Sequence, residues 1–230
     1  ENIPATTDLV VYSPAISANN PELVAARTSG VTALSYPEML GLISSEKFTI
    51  AIAGTHGKTT TTAMVAQILI AASLDPTVIV GSLMTDSRGQ RTNFIAGRGQ
   101  YLVVEACEYK RSFLHLHPRI LVITNIDNDH LDYYRDLDDI KSAFAELVKK
   151  LPANGVLIDN FAGILVESAT AGLKLKVPGE HNRLNAAAAL AVARALGVSD
   201  EISIAALNNF AGTWRRFEYR GRLKRGAVLY

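Results

Sequence analysis

The stretch from residue 48 to residue 62 constrains the fold of this chain more than any other. The apolar run FTIAIA (48–53) reads as a buried strand, and it leads directly into GTHGKTTTT (54–62), which opens a long helical pattern. A glycine-rich turn between a strand and a helix gathers backbone N–H groups and the positive end of the helix dipole at one point. Lys58 can then reach the outer phosphates of a nucleotide, and the Thr59 hydroxyl can ligate Mg²⁺. The segment therefore predicts a phosphate-binding loop.

This loop departs from the usual spacing. The pattern G-x-x-x-x-G-K-[ST] requires glycine at position 52, where the chain has Ile52, so the motif is the shorter G-x-x-G-K-T. An ordinary glycine-containing turn capped by threonine is the alternative interpretation, and the strand before and the helix after it favour phosphate binding. The candidate phosphate-binding residues are Gly54, Thr55, His56, Gly57, Lys58, Thr59 and Thr60.

Strands and helices alternate along the rest of the chain. Strand patterns cover residues 9–13, 32–34, 48–53, 78–80, 101–105, 121–126 and 156–158, and helical patterns cover 21–29, 37–44, 58–73, 140–151 and 182–196, with another after Asp200. The clearest helix has an unbroken apolar stripe formed by Ile140, Ala143, Phe144, Leu147, Val148 and Leu151. This alternation predicts an α/β fold with a largely parallel sheet, helices on both faces and a phosphate-loop NTPase-like central domain.

Composition and charge narrow the possible partners. The 230 residues are 48% hydrophobic and 20% charged, which is typical of a globular protein. A formal net charge of +1 gives no basic surplus for nucleic acid, so no nucleic-acid partner is expected. No stretch approaches the roughly 18 apolar residues of a membrane span, so no membrane partner is expected either. The single cysteine excludes an intramolecular disulfide and suits the cytoplasm, the predicted location.

Two further side chains are candidates for the same site. Glu105 and His130 are each predicted to end a buried strand. Because parallel strands present their carboxyl ends at one edge of a sheet, both side chains are expected to converge beside the phosphate loop. A solvated carboxylate and an ordinary loop histidine are the alternative interpretations.

Several motifs in order resemble the Mur ligase family. They are DLVVYSPAI (8–16) with NPE (20–22), GTHGKTTTT (54–62), SFLHL (112–116), TNIDNDHLD (124–132), GEHNRLNA (179–186) and RRFE (215–218). The resemblance implies an enzyme that uses ATP to convert a carboxylate into an acyl-phosphate, which an amine then attacks. It is strongest to members that join L-alanine to UDP-N-acetylmuramate in peptidoglycan precursor synthesis, so ATP, UDP-N-acetylmuramate and L-alanine are the implied small-molecule substrates.

The resemblance also implies roles for single residues. Lys58 and His130 would be catalytic, and Thr59, Glu105 and His130 would hold Mg²⁺, or Mn²⁺, which imidazole suits better. His130 acting through a bound water or a hydrogen bond to substrate stays open. His181 and Asn182 would contact adenine, while Arg216, chosen over Arg215, would reach a nucleotide phosphate. Cys107 occupies a position where related ligases commonly carry Asp.

By the same resemblance, residues 1–46 would be the later part of a UDP-sugar-binding domain, residues 47–226 the central ATP-binding domain, and residues 227–230 the start of a hinge to an amino-acid-binding domain. A chain of this extent is expected to bind nucleotide with little ligase turnover by itself. A sister ligase that attaches a peptide to the same sugar nucleotide and a non-catalytic nucleotide-binding module remain alternatives. Folate- and cyanophycin-type ligases are disfavoured by residues 8–22, and a switch GTPase by the lack of an Asn-Lys-x-Asp motif.

Overall fold

The computed structural model describes residues 3–85, 89–159, 172–214, 216, 221–223 and 228–229. Its strands are β1 (Leu9–Tyr12), β2 (Thr32–Ser35), β3 (Phe48–Ala53), β4 (Thr77–Thr85), β5 (Arg91–Ile95), β6 (Tyr101–Glu105), β7 (Ile120–Ile123), β8 (Val156–Asp159), β9 (Gly221–Arg222) and β10 (Val228–Leu229). Its α-helices are α1 (Pro21–Thr28), α2 (Tyr36–Glu46), α3 (Lys58–Ala71), α4 (Leu137–Val148), α5 (Glu180–Ala195) and α6 (Asp200–Asn209), and a 3₁₀ segment covers Tyr109–His115.

A six-stranded sheet with the order β5-β4-β6-β3-β7-β8 forms the centre of the fold. All neighbouring strands in it are parallel except β4 and β5, which are antiparallel. The register pairs Ile52 of β3 with Glu105 of β6, and Ala53 of β3 with Ile123 of β7. Strands β1 and β2 make a separate two-stranded parallel sheet. The predicted α/β class with a largely parallel sheet is confirmed.

Helices cover both faces of the large sheet. Alternate residues of β3 enter two different cores, because successive side chains of a strand point to opposite faces. Ile50 and Ile52 pack with α3, α5 and α6, while Ala51 and Ala53 pack with the 3₁₀ segment and α4. Helix α3 is buried over most of its length because α5 and α6 pack on it from outside. In the part of the chain that the structure describes, none of the helices combines the length and the apolar character that a membrane span requires.

The predicted end of β7 was wrong. The pattern indicated a strand to residue 126, but β7 ends at Ile123. The partner strands β3 and β8 end opposite Ile123, at Ala53 and Asp159. The side chains of Thr124 and Asn125 bond to the phosphate loop, residues 54–59. His130 consequently does not end a strand and lies seven positions beyond it in a loop. Glu105 does end β6, as predicted. Arg215 lies outside the described residues.

Helix α2 begins with a reciprocal cap. The Ser35 hydroxyl oxygen accepts a hydrogen bond from the Glu38 backbone N–H at 3.4 Å, and the Glu38 carboxylate accepts from the Ser35 N–H at 2.7 Å and the Ser35 hydroxyl at 2.6 Å. These hydrogen bonds from Ser35 lower the pKa of Glu38. A folded-state pKa below the unfolded value gives stability that is present at neutral pH and disappears as the pH falls through the folded pKa.

Replacing Ser35 with alanine is therefore expected to lower the free energy of unfolding by about 1 kcal/mol at pH 7. The difference from the parent should narrow as the pH is lowered to 3, because the fraction of protonated Glu38 rises. Urea unfolding at both pH values measures it. Ser45→Ala, at an exposed position of the same helix, is the matched control and should stay within about 0.5 kcal/mol of the parent. A Ser35→Ala difference of equal size at both pH values would contradict the pH part of this prediction.

Candidate functional site

The phosphate loop connects the central strand β3 to α3. Gly54 and Gly57 have positive φ angles of 133° and 85°, which favour glycine. The Lys58 ammonium group folds back over the loop and donates to the backbone oxygens of Gly54 at 2.6 Å and Thr55 at 3.0 Å. Within α3 the first i to i−4 bond runs from Thr61 N–H to Gly57 O, so the N–H groups before it have no acceptor within the helix. The arrangement leaves a positively polarised helix end beside a lysine.

Glu105 lies against the start of α3. Its carboxylate accepts a hydrogen bond from the Thr59 hydroxyl at 3.1 Å and another from the Gly81 N–H at 2.7 Å. A Cβ atom on Gly81 would lie 2.8 Å from that carboxylate, so glycine allows the approach. The structure thus brings together Thr59 and Glu105, two of the residues predicted for metal binding.

Glu108 is a functional candidate that the sequence interpretation missed. Its side chain is only 2% exposed and one carboxylate oxygen, Oε1, forms an ion pair with Lys58 at 2.9 Å. The other oxygen, Oε2, has no hydrogen-bond partner among the described residues. An unsatisfied buried carboxylate oxygen is costly, and a cation would satisfy it. The sequence feature that could have indicated Glu108 is its position, since it is a second carboxylate three residues after Glu105, the last residue of β6.

His130 lies next to Glu108. Its Nε2 atom is 3.6 Å from Glu108 Oε1 and 3.9 Å from Asp129 Oδ2, and its backbone φ is 52°. Possible ligand atoms of Glu108, Asp129 and His130 all lie within 4.8 Å of one another. The ring of Tyr109 packs 4.9 Å from the His130 ring. His130 is therefore grouped with Glu108 and Asp129, while Glu105 is grouped with Thr59, and Lys58 contacts Glu108 between these groups.

A cavity of about 220 Å³ adjoins the other side of the loop. Its lining comprises His56, Gly57, Thr60, Thr124, Asn125, His181, Asn182, Leu184, Asn185 and Arg216. The predicted nucleotide residues of α5 and Arg216 thus share one cavity with the phosphate loop. Asn182 is buried, and its amide donates to Pro178 O at 2.6 Å. A Cβ atom on Gly57 would lie 2.5 Å from Asn185 Oδ1, so α5 packs directly on the loop.

A second, mainly apolar cavity of about 230 Å³ lies on the far side of Glu105. It is lined by Pro14, Tyr36, Pro37, Leu40, Glu105, Cys107, Ser112, Phe113 and Leu116. Cys107 is exposed as a residue, yet desolvation by the surrounding atoms raises the pKa of its thiol. Desolvation, followed by the charge of Glu105, also raises the pKa of Tyr36. Cys107 and Tyr36 are therefore uncharged at neutral pH, and Glu105 supplies the acidic group of this cavity.

The fold and the loop together define a phosphate-loop α/β protein, with its loop between the central strand and a buried helix. The Mur ligase middle domain matches residues 52–171, more than half of the chain. The chain therefore belongs to the Mur ligase family.

Individual relatives agree with that assignment. The chain is 40% identical to a UDP-N-acetylmuramate–L-alanine ligase of Clostridium acetobutylicum over 96% of the chain and 57% of that relative. Among solved structures, the UDP-N-acetylmuramate–alanine ligase of Thermotoga maritima is similar with a TM-score of 0.77 and 30% identity, over 95% of this chain and 58% of that one. A murein peptide ligase of Psychrobacter arcticus is similar with a TM-score of 0.74 and 27% identity, over 94% of this chain and 58% of that one. The chain spans less than two thirds of the length of these relatives.

Proposed function

We propose that this chain is the nucleotide-binding core of an ATP-dependent ligase that joins L-alanine to UDP-N-acetylmuramate. The observation that carries the proposal is the arrangement around Lys58. It lies at a helix N-terminus, next to loop residues that line the first cavity, and it pairs with the buried carboxylate of Glu108, whose Oε2 atom has no hydrogen-bond partner among the described residues. The names of the relatives support the substrates. A Mur-type ligase that attaches a peptide to the same sugar nucleotide is the second candidate, since the Psychrobacter arcticus structure is nearly as similar.

In this proposal ATP occupies the cavity between α5 and the phosphate loop. The adenine lies near His181 and Asn182, and the phosphates follow the loop to the first turn of α3. Lys58 exchanges its contact with Glu108 for one with the outer phosphates and offsets the charge that develops during phosphoryl transfer. Thr60 and Arg216 line the same cavity and flank the nucleotide.

The carboxylate substrate approaches from the cavity beside Glu105. Its oxygen attacks the terminal phosphorus of ATP, the bond to the bridging oxygen breaks, and ADP leaves with the bonding electrons. The amine then attacks the carbonyl carbon of the acyl-phosphate, and inorganic phosphate leaves as the amide forms and the amine loses a proton. Leu40 and Phe113 give this cavity a mainly apolar lining, which would favour the exclusion of water from the acyl-phosphate.

The residues present fit a divalent cation. Thr59 and Glu105 would hold one ion beside the phosphates, and Glu108, Asp129 and His130 could supply further ligands. Hydroxyl and carboxylate oxygens suit Mg²⁺, and the single imidazole also admits Mn²⁺. The Oε2 atom of Glu108, which has no hydrogen-bond partner among the described residues, is the observation that supports this fit. A bound cation would neutralise charge on the phosphates.

Replacing Glu108 with glutamine is expected to weaken Mn²⁺ binding about 10-fold or more, because a charged ligand becomes a neutral one. Lys58 keeps its bonds to Gly54 O and Thr55 O, so the phosphate loop should stay folded. Electron paramagnetic resonance of free Mn²⁺ during a titration gives the affinity. Glu46→Gln, at an exposed position of α2, is the matched control. Equal Mn²⁺ affinity in Glu108→Gln and the parent would exclude Glu108 as a ligand.

Calorimetric titration of Mg-ATP into the chain tests the proposed nucleotide-binding core. Saturable binding with a stoichiometry of one is the expected result. A folded chain that shows neither a heat of binding nor bound nucleotide would contradict the proposal. Because this chain by itself is expected to show little ligase turnover, phosphate release with UDP-N-acetylmuramate and either L-alanine or a murein peptide is measured on the whole ligase, where it separates the two candidates. Release that depends on the peptide alone would favour the second candidate.

A further inference from the structure

The phosphate loop rests on the segment that follows β7, residues 124–127. Within it, the Asn125 side chain engages both polar groups of one loop residue. The Asn125 Oδ1 atom accepts from the His56 N–H at 2.8 Å, and the Asn125 amide group donates to the His56 oxygen at 3.0 Å. A carboxamide offers a donor and an acceptor in one planar group, which suits this pair of contacts. The Asn125 side chain thus holds His56 much as a neighbouring strand would.

Other bonds continue the same contact. The Asn125 backbone oxygen accepts from the Thr55 N–H at 3.0 Å, and the Asp127 N–H donates to the Thr55 hydroxyl oxygen at 2.9 Å. The Thr124 hydroxyl donates to the His56 oxygen. The glycine before them fits closely, since a Cβ atom on Gly54 would lie 2.0 Å from the Thr124 hydroxyl oxygen. The loop is therefore held along residues 54–56, while its part next to α3 faces the cavity.

These bonds decide which loop groups are available to a ligand. The N–H and oxygen of His56 are committed to Asn125, so the turn at His56 is fixed before a ligand arrives. The N–H groups at the start of α3, from Lys58 to Thr60, precede the first intrahelical bond and begin two residues after the fixed His56. A loop fixed in advance loses less conformational entropy when it binds phosphates.

We infer that Asn125 is a positioning residue for the phosphate loop, acting through His56 to hold the loop in its phosphate-binding form. The inference rests on the proposed function, because it concerns the affinity of the same loop for ATP. It assigns a role to a side chain that the sequence interpretation left inside a longer motif without a function of its own.

Two measurements test the role of Asn125. Asn125→Ala is expected to weaken the affinity for Mg-ATP about 10- to 100-fold, because two hydrogen bonds to the loop are lost. In the nucleotide-free protein, the His56 amide should exchange slowly with deuterium in the parent and quickly in Asn125→Ala. Asn128→Ala, three positions further along and exposed, is the matched control and should match the parent in both measurements.

Asn125→Asp keeps the size of the side chain and the acceptor facing the His56 N–H. It is expected to fold, to keep the His56 amide protected and to bind ATP more weakly, since its carboxylate faces the His56 oxygen. Parent-like ATP affinity in Asn125→Ala or Asn125→Asp would overturn the inference and leave the proposed function intact. A folded parent that binds no ATP would refute the proposed function and, with it, any role of Asn125 in phosphate binding, even with the His56 amide protected.

Discussion

Replacing Lys58 with alanine is expected to weaken Mg-ATP binding by about two orders of magnitude, the largest effect of any single charge in this site. The ammonium group lies at the N-terminus of α3 and donates to the Gly54 oxygen of the loop. In the proposed function it binds the outer phosphates instead. The same substitution leaves Glu108 buried without its ion-pair partner. The free energy of unfolding should therefore also fall, by about 3 kcal/mol, at neutral pH.

The effects on binding and stability can be separated. In Lys58→Ala combined with Glu108→Gln, the buried charge is absent, so stability should largely return while ATP binding stays weak. Lys141→Ala, an exposed position on α4, controls for the loss of one positive charge. Calorimetry gives the affinity and urea unfolding gives the stability. ATP affinity in the single variant within threefold of the parent would show that Lys58 does not contact the phosphates.

Replacing Gly54 with alanine is expected to abolish ATP binding and to destabilise the fold by about 3 kcal/mol or more. A Cβ atom there would lie 2.0 Å from the Thr124 hydroxyl oxygen and 3.0 Å from the Asn125 backbone oxygen, and the φ angle is 133°. Neither the backbone of the loop nor the segment after β7 can move aside without breaking the bonds between them. The loop should therefore leave its phosphate-binding form.

Gly197→Ala is the matched control for the effect of backbone conformation alone. Gly197 has a φ angle of 73°, and nothing lies within 4 Å of the position of an added Cβ atom. A cost of about 1 kcal/mol and unchanged ATP binding are expected there. Equal losses of stability in Gly54→Ala and Gly197→Ala would mean that the close approach of Gly54 to Thr124 does not contribute to the destabilisation.

The features of the fold that depend on local sequence patterns were predicted correctly. Strands β3 and β6 have the predicted bounds because their central residues are apolar and buried on both faces of a parallel sheet. The loop-to-helix junction at Lys58 was also predicted, since glycine chemistry and helix initiation are local. Strand β5 was not predicted, because it is an exposed edge strand without apolar alternation.

Long-range contacts account for the remaining errors. The end of β7 depends on where its partner strands β3 and β8 end. Thr124 and Asn125 share hydrogen bonds with a loop about 70 positions earlier in the chain. Local sequence patterns indicate neither feature. Glu108 could not be distinguished from a solvated carboxylate by its sequence neighbours, because its significance comes from Lys58 and His130 in the folded protein. The 3₁₀ segment includes two consecutive residues of positive φ, Lys110 and Arg111, which sequence patterns disfavour.

The ion pair between Lys58 and Glu108 affects which ligands can bind to the lysine. In the resting protein the lysine already has an internal counter-ion, so a bare inorganic anion must compete with a buried carboxylate for it. A polyphosphate that carries a divalent cation would replace both partners of this ion pair. Its phosphates would bind Lys58, and its cation would bind the carboxylate of Glu108. In the proposed function, each ligand would therefore raise the affinity for the other, by an equal factor in both directions. In the proposed function, a single buried ion pair would thus make the loop select a metal–nucleotide complex over phosphate alone.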